Sequence, residues 1–358
     1  MSTSSASAAG TSGPSGGPAG RPRVTVVGAG IAGVACAQAL VAAGVQVRLL
    51  DRGRRLGGRL GVRRVELADG SQHLVDTGAA YFTVSDEDFA ALASGWSTDG
   101  LARPWTDTLS LLGPDGPRGS TTGPQRWSAP GGLRSLVDRL AEGLEVASGH
   151  GVRSVGVADG LPAVDGEAAD AVVLAMPDPQ AGRLLDVEAS PGLASARRVL
   201  ARPWDAVITV YATWERAWWP ALDAGFVADD ELVTLLADDG SRRGDGAPVL
   251  VAHTTADASR SALGEPESLV EPVLARLPHL LGVAPGDVPP PLTAAAHRWS
   301  FAAPQQAHDL PHLLTAVAGG LLGVCGDAWA ATPSGKPRVE QAWRSGRDLG
   351  RELAERLA

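Results

Sequence analysis

The sequence predicts an α/β protein of two domains, one built on a parallel sheet and the other on a mainly antiparallel sheet. Near its start, a short apolar run with Val24, Val26 and Val27 enters a glycine-rich turn at residues 28–33, and an alanine-rich helical pattern and a second apolar run follow. Residues 200–316 instead carry several strand patterns with one helical interruption. The order strand, turn, helix, strand is typical of a parallel βαβ unit, whereas successive strands favour an antiparallel sheet.

Length and composition limit the function. The chain has 358 residues, enough for two modest domains, and a formal net charge of −9, which argues against binding to nucleic acid or anionic membrane. Its longest apolar stretches are too short to cross a bilayer, and residues 1–20 lack the charged start and apolar core of a secretory signal. We therefore expect a cytoplasmic protein with a disordered tail over residues 1–21. The two cysteines have no CxxC spacing and indicate neither a metal site nor a disulfide.

The turn at residues 28–33 reads GAGIAG and has the spacing of a dinucleotide-binding fingerprint. Gly28 permits the tight turn, Gly30 lets a pyrophosphate approach the backbone, and Gly33 lets the helix pack closely on the strand. The helix N-terminus offers free N–H groups to the phosphates, and Asp51, at the end of the second strand, would accept hydrogen bonds from ribose hydroxyls. The pattern predicts a Rossmann-type nucleotide domain.

A second glycine pair indicates which dinucleotide is bound. Gly57 and Gly58 are followed at once by Arg59, and a nicotinamide dehydrogenase has no need of this extra turn. Because a planar guanidinium can bond two phosphate oxygens, we expect Arg59 to face phosphate. We interpret Arg54 and Arg55 as part of a solvated basic face. The pattern of an acid followed by GGR resembles the amine oxidase-like flavoproteins, and this resemblance implies that the dinucleotide is flavin adenine dinucleotide (FAD).

The C-terminal segment returns to nucleotide chemistry. An apolar strand within residues 320–325 stops at Gly326 and Asp327, and an amphipathic helix follows a loop. We expect the carboxylate of Asp327 to hold ribityl or pyrophosphate groups of FAD.

Local patterns predict the remaining elements. Alternating residues around Asp69 and Gly70 predict a hairpin, and the fully apolar run 171–176 predicts a buried parallel strand. Helices are expected from Leu133 to about Leu144 and over 267–277, and strands over 206–214, 247–255 and 293–304. We predict that the FAD domain comprises residues 22–91, 145–200 and 317–358, and the substrate domain residues 92–144 and 201–316.

Taken together, residues 23–357 resemble the renalase branch of the amine oxidase-like FAD proteins. The resemblance is carried by VVGAGIAG, GGRL, DTGAAYFT, WSAPGG, LAMPDP, VLVAHTT, AHRWSFAAP and CGDAWA, of which DTGAAYFT, HTT and HRW discriminate best. It implies a p-hydroxybenzoate hydroxylase/amine oxidase-like fold with non-covalent FAD. It also implies oxidation of 2- or 6-dihydro isomers of NAD(P)H to NAD(P)+, with hydride passing to flavin N5 and then to dioxygen, which yields hydrogen peroxide.

The resemblance also implies a set of FAD-contacting residues. In this sequence they are Gly28, Gly30, Ala32, Gly33, Asp51, Gly58, Arg59, Ala80, Tyr81, Val152, Gly326 and Asp327. One departure is visible, because the family often has Gln where this chain has Ala80. A backbone contact at that position would survive the change, but a side-chain hydrogen bond would not.

Three residues are candidates for the substrate side. His297 and Trp299 are two apart, so on a strand they share one face and could stack on or bond the nicotinamide portion, or else form a packed core face. His253 is either a ligand or a structural hydrogen-bonding residue. We find no catalytic triad and no carboxylate pair. Hydride transfer from a dihydropyridine needs no base, only two flat rings held face to face.

Two other functions remain open. An amine or amino-acid oxidase on the same fold often has a mid-chain lysine and paired tyrosines, but here Lys336 is the only lysine and Tyr81 and Tyr211 are the only tyrosines, although Trp could replace them in a cage. A non-catalytic flavin-binding redox sensor is possible on the same fold. The expected partners are a small dihydropyridine dinucleotide and dioxygen, with the chain as monomer or homodimer.

Overall fold

A computed structural model describes residues 21–329 and 338–358, so residues 1–20 of the tail predicted over 1–21, and Lys336, lie outside the described residues. The strands in the described part are β1 (Arg23–Val27), β2 (Gln46–Asp51), β3 (Val62–Glu66), β4 (Gln72–Asp76), β5 (Phe82–Thr83), β6 (Arg103–Gly113), β7 (Gly116–Ser128), β8 (Val146–Ser148), β9 (Val155–Ala158), β10 (Leu161–Val164), β11 (Glu167–Ala168), β12 (Ala171–Leu174), β13 (Trp204–Thr213), β14 (Ala224–Val227), β15 (Val233–Asp238), β16 (Val249–Thr254), β17 (Thr293–Pro304), β18 (Leu313–Val317) and β19 (Gly320–Val324).

The helices in the same part of the chain connect or cover these strands. They are α1 (Ile31–Ala42), α2 (Glu87–Thr98), α3 (Leu133–Leu140), α4 (Asp178–Leu184), α5 (Pro191–Val199), α6 (Asp239–Arg243), α7 (Ala256–Ser261), α8 (Val270–Leu281) and α9 (Val339–Leu357). Within the described ranges, no helix combines the length and apolar character needed to cross a membrane.

The first sheet has six strands in the order β18-β19-β12-β1-β2-β8 and is parallel except for β18. Val26 faces one apolar core with α1, whereas its neighbour Val27 faces a second core on the other side. Burial on both faces is why β1 and β12 read as continuous apolar runs. The α/β architecture predicted from the sequence is confirmed.

Helices α1 and α9 pack against each other through glycine. A methyl group on Gly346 of α9 would lie 1.9 Å from the carbonyl oxygen of Ala32, closer than any real contact. The absence of a side chain therefore lets the last helix touch the backbone of the first one.

The second sheet has eight strands in the order β17-β13-β16-β15-β14-β6-β7-β5, antiparallel except for the β14–β6 pair. Ile208, Val210 and Ala252 point to one face, where α8 supplies Val273 and Leu277 to a common core. The other face is turned toward the hairpin β3–β4 and the loop that follows β4, because Val75 and Val251 share an apolar cluster.

Two helix boundaries differ from those expected. The predicted helix 267–277 is found as a 3-10 turn, Pro266–Leu269, followed by α8, which continues through Pro278 because Leu280 and Leu281 are buried. Helix α3 ends at Leu140 rather than near Leu144, just before a glycine with φ of 82°. The division into domains stays a prediction; α3, assigned there to the substrate domain, packs in the core of α1.

Candidate active site

The turn after β1 forms an open cradle. Gly28 has a φ of 107°, and a methyl group there would lie 2.4 Å from the carbonyl oxygen of Ala175; on Gly33 it would lie 1.9 Å from the carbonyl oxygen of Gly28. On Gly30, by contrast, a methyl group would meet nothing within 4 Å, and on Gly58 it would lie 3.6 Å from the Cα of Gly30. Gly28 and Gly33 therefore allow the backbone of the turn to pack closely, and Gly30 leaves open space beside the turn.

The N-terminus of α1 opens onto this space. Gly30 caps the helix without a side-chain hydrogen bond, and the first turn carries no acidic residue. Exposed N–H groups and the positive end of the helix dipole suit an anion. Because space, donors and charge agree, the residues of this turn fit the pyrophosphate of FAD.

Asp51, at the end of β2, anchors the same turn. One carboxylate oxygen accepts from the N–H of Ala29 at 2.6 Å, and the other from the N–H of Gly53 at 2.6 Å. A carboxylate oxygen has room for further hydrogen bonds, so Asp51 can hold the turn and still accept from ribose hydroxyls.

Arg59 and Asp327 are brought together at the edge of the cradle. The guanidinium donates two hydrogen bonds to the carboxylate, at 2.7 and 2.5 Å, and a third to the carbonyl oxygen of Ala302 at 3.1 Å. The Cζ atom of Arg59 lies 5.2 Å from the centre of the Trp204 ring. The guanidinium plane is thus fixed by three polar contacts and an aromatic face, which suits bidentate recognition of an oxyanion.

The loop between β4 and β5, which carries Ala80 and Tyr81, is held from the second sheet. The carbonyl oxygen of Thr77 accepts from Nε1 of Trp299 and from the hydroxyl of Thr209, both at 2.7 Å. Trp299, a candidate for the substrate side because it shares a strand face with His297, therefore has a positioning contact that the sequence did not indicate.

A buried ion network underlies this loop. Arg242, fully buried on α6, donates to the carbonyl oxygens of Ala80 at 3.0 Å and Asp76 at 3.2 Å, and it pairs with Asp239. Arg243 pairs with Asp239 and with Asp76, each at 3.0 Å. Nε2 of His73 lies 2.8 Å from Asp239. Two arginines and two aspartates therefore lock the hairpin β3–β4 to the substrate sheet.

The network shifts the carboxyl groups in opposite directions. Burial by itself would raise the pKa of Asp239, but Arg242 and the hydrogen bond from His73 hold that pKa well below its usual range. Burial raises the pKa of Asp76, although Arg243 and Arg242 oppose it. Sequence reasoning missed this cluster because Asp76 and Arg243 are 167 positions apart and no spacing rule connects them.

The candidate substrate residues lie in one row across the second sheet. His297 of β17 is directly opposite Thr209 of β13, Thr209 is opposite His253 of β16, and His253 is opposite Leu235 of β15. Directly opposed side chains project to the same face, about 5 Å apart. The sheet therefore brings His253 and His297 to the same face as the Thr209 hydroxyl that binds the loop.

Both histidines are neutral near pH 7. Burial lowers the pKa of His253 to about 4, with Arg242 adding to the effect, and its Nε2 is buried without a hydrogen-bond partner among the described residues. Burial also lowers the pKa of His297 to about 4, and the nearby Arg63, whose Nη2 lies 2.9 Å from Nδ1, contributes. The ring of Trp299 stands edge-on to His297 with centres 4.5 Å apart.

The other predicted contacts occupy less defined places. Ala32 is buried in the first turn of α1, Val152 is half-buried beside the core on the far face of the first sheet, and the N–H of Gly326 donates to the hydroxyl of Ser345 at 3.1 Å. Tyr81 lies against Trp105, with ring centres 6.4 Å apart. The described residues hold no cluster able to bind a metal ion, and both cysteines are buried and free.

Two family models match the sequence. One, described as an NAD(P)-binding Rossmann-like domain, covers residues 26–94. The other, described as flavin containing amine oxidoreductase, covers residues 107–352, more than half of the chain.

Solved structures of oxidases share the fold. Cyclohexylamine oxidase from Brevibacterium oxydans IH-35A has a TM-score of 0.70 at 16% identity, covering 94% of this chain and all of that one. A protein assigned as a protoporphyrinogen oxidase, from Exiguobacterium sp. 255-15, has a TM-score of 0.70 at 15% identity, with 94% and 100% covered. Wild-type putrescine oxidase bound to putrescine gives 0.61 at 16% identity, with 94% and 98% covered. At these identities the likeness concerns the fold alone.

The family match, the Rossmann-type glycine turn and the residues that fit FAD lead to one conclusion. The chain belongs to the flavin containing amine oxidoreductase family and is a FAD-dependent oxidoreductase.

Proposed function

We propose that the protein oxidises 2- or 6-dihydro isomers of NAD(P)H to NAD(P)+, with non-covalent FAD as acceptor and dioxygen as the final oxidant. The observation that carries the proposal is the electrostatic character of the sheet face around His253 and His297. Both imidazoles are uncharged, and the charged groups that act on them are the guanidiniums of Arg242, Arg63 and Arg298.

We call the sheet face around His253, His297 and Trp299 the substrate wall. Its neutral imidazoles and neighbouring guanidinium groups suit a dihydropyridine dinucleotide better than an amine. A dihydropyridine dinucleotide offers a flat neutral ring and an anionic pyrophosphate, which guanidinium groups attract. An alkylammonium ion would meet like charge from the exposed Arg63 instead, whereas the charge of the buried Arg242 is balanced by Asp239. The charge distribution therefore supports a dinucleotide.

The residues of the wall would bind and orient rather than exchange protons. When bound, FAD supplies the two-electron acceptor that dioxygen regenerates. The edge-on pair of Trp299 and His297 offers an apolar surface for a planar ring, and the bond from Trp299 to the Thr77 carbonyl fixes that surface relative to Ala80 and Tyr81. Fixed orientation of two rings is the main demand of this reaction.

We propose the FAD contacts on the same basis. Gly28, Gly30, Gly33 and Gly58, with Ala32 in the first helical turn, would border the pyrophosphate, and Asp51 would accept from ribose. Arg59, Asp327 and Gly326 would contact the phosphates and the ribityl chain. The loop with Ala80 and Tyr81 would meet the flavin, and the backbone at Val152 the adenine.

Amine oxidation is the second candidate, because the family match and the folds of cyclohexylamine oxidase and putrescine oxidase favour it. An acidic group also acts on this side of the sheet: burial raises the pKa of Tyr211, Arg63 opposes that shift, and Glu267 adds to it. A carboxylate near an aromatic ring could receive an ammonium group.

Anaerobic reduction of the bound flavin separates these functions. The purified holoenzyme is mixed with 2-dihydro-NAD, 6-dihydro-NAD, NADH or a panel of primary amines, and flavin bleaching near 450 nm is followed. Rapid bleaching by a dihydro isomer, with hydrogen peroxide formed on admitting air, is the expected result.

Bleaching by amines alone would overturn the proposal in favour of amine oxidation. A flavin that none of these donors reduces would also overturn it and leave a substrate outside both classes or a role without turnover. NADH serves as the matched control, because it carries the same phosphates and differs only in the position of the hydride.

A further inference from the structure

Arg126, on β7, is a buried guanidinium without a carboxylate partner. The described residues contain three arginines that are more than nine-tenths buried, and two of them, Arg242 and Arg243, pair with Asp239. Arg126 is only 6% exposed and makes no ion pair with any described residue. Its Nη1 donates to the carbonyl oxygen of Asp107 at 2.8 Å. A buried cation without a counter-charge is costly, and a bound anion would remove that cost.

The unsatisfied atoms of Arg126 lie on one edge of the guanidinium. Nη1 is occupied by the carbonyl oxygens of Asp107 and Pro124. Nε is buried without a partner. Both side-chain hydrogen bonds that Arg126 makes to described residues come from Nη1, so Nη2 has no partner among those residues. Beside it, Gly123 has no side chain to cover Nη2; a methyl group there would lie 3.4 Å away. The N–H groups of Nε and Nη2 are parallel, so this edge matches two oxygens of a phosphate or carboxylate.

The position of Arg126 connects it to the proposed substrate wall. Its guanidinium lies 5.4 Å from the ring centre of Tyr81, whose ring lies 6.4 Å from that of Trp105. Trp105 and Phe226 pack against one apolar cluster. Phe226 is opposite Leu235, which is opposite His253. The free edge is therefore joined to the histidine row through a continuous chain of aromatic and apolar side chains on one side of the sheet.

We propose that the Nε/Nη2 edge of Arg126 binds an oxyanion of the substrate. This inference rests on the proposed function, under which the oxyanion is a phosphate of the dihydropyridine dinucleotide. The ring of Tyr81 would stabilise the guanidinium through a cation–π contact with its face and leave the Nε/Nη2 edge available to the oxyanion. Arg126 would thus select substrates that carry an anion at a fixed distance from the reacting ring.

Ligand binding to the holoenzyme tests the proposal directly. Dissociation constants for NAD+, nicotinamide riboside, inorganic pyrophosphate and acetate are measured from the perturbation of flavin absorbance in the wild type and in Arg126→Met. We expect the variant to bind NAD+ and pyrophosphate roughly 10- to 100-fold more weakly, because it loses two charge-assisted hydrogen bonds. Nicotinamide riboside, which has no phosphate, should bind within about twofold of the wild type.

Two variants keep the experiment interpretable. Arg118→Met removes an exposed arginine of the same strand that pairs with Asp229, and it should bind all four probes like the wild type. Arg126→Lys keeps the positive charge but loses the parallel Nε and Nη2 donors. Its affinity for NAD+ and pyrophosphate should lie between those of the wild type and Arg126→Met if both donors bind the oxyanion. It also replaces Arg126→Met if that variant fails to retain FAD.

The outcomes separate this inference from the proposed function. Equal pyrophosphate binding by the wild type and both Arg126 variants would overturn the subsite. Loss of acetate binding with pyrophosphate unaffected would overturn the phosphate assignment and indicate a carboxylate substrate. If dihydropyridines fail to reduce the flavin while pyrophosphate still depends on Arg126, the proposed function falls and the oxyanion subsite stands.

Discussion

Arg59 and Asp327 form a two-bond ion pair although 268 positions separate them in the chain. Each is expected to contact FAD, and each is partly exposed, with 28% and 11% of its side-chain surface accessible. An exposed pair of this kind adds little to folding stability. Its value lies in holding two groups at one place before the dinucleotide arrives.

Replacing Arg59 by Met should therefore affect FAD binding far more than stability. We expect FAD affinity to fall roughly 10- to 100-fold, from the loss of bidentate bonds to phosphate, with an unfolding free energy of the apoprotein lower by only about 1 kcal/mol. Fluorescence titration of apoprotein with FAD measures the first quantity and urea denaturation the second. Arg54→Met, which removes an exposed arginine of the same loop, is the control. An equal loss of FAD affinity in that variant would show that Arg59 acts only through the overall positive charge of the loop.

Alanine at Gly30 and at Gly33 should have opposite consequences. Gly30 has an ordinary φ of −75° and open space above it, so Gly30→Ala should fold normally but place a methyl group where pyrophosphate belongs. Gly33→Ala would press a methyl group against the carbonyl oxygen of Gly28 and should cost about 2 kcal/mol or more of stability. We expect the FAD content to fall in Gly30→Ala and the melting temperature to fall in Gly33→Ala, and both quantities are measured for each variant. A stable Gly33→Ala protein would contradict the tight turn.

The two hydrogen bonds to the Thr77 carbonyl should be coupled. Thr209→Val and Trp299→Phe each remove one donor and should each cost about 1 kcal/mol, since the oxygen keeps its second partner. Together they leave it buried without either bond, so the double variant should lose more than the sum. A double-mutant cycle by urea denaturation measures the difference, and strict additivity would show that the carbonyl finds another donor.

His253 should make the protein less stable as the pH falls. Its pKa is lowered from 6.5 to about 4 in the fold, so between these values the unfolded chain binds the proton more strongly. Stability contributed by the neutral imidazole is complete above pH 6.5 and is lost as the pH falls toward 4, about 2 kcal/mol of it between pH 7 and 5. Denaturant unfolding at both pH values checks this. His253→Gln should remove that part of the pH dependence, and an unchanged slope would refute it.

Local pattern predicted the parts of the site that lie within one unit of structure. The glycine turn, Asp51 and the Gly326–Asp327 turn that follows β19 were predicted from spacing, because a strand and the turn after it are continuous in sequence. The prediction that Arg59 contacts FAD also rested on a local pattern, the glycine pair immediately before it. Its pairing with Asp327 depends on two separate segments meeting at the sheet edge, which spacing does not encode.

The polar groups beneath the Ala80 loop were beyond local reasoning for a different reason. Arg242 and Arg243 form a charged pair in a glycine- and aspartate-rich stretch, and such a pair is typically exposed. Only the fold brings the buried Asp76 close enough to compensate them. Arg126 follows a glycine- and threonine-rich stretch with no motif, and its burial depends on strand pairing with β5 and β6.

The contact between Gly346 and Ala32 has a consequence for biosynthesis. The β1–α1 unit leaves the ribosome well before β19 and α9, which complete its sheet and core and follow all the other described elements in the chain. Until then the nascent chain carries an uncovered apolar helix and an unpaired strand edge, and such surfaces are prone to aggregate. Expression at lower temperature or with a holdase chaperone should therefore raise the soluble yield more than any stabilising change within the second sheet.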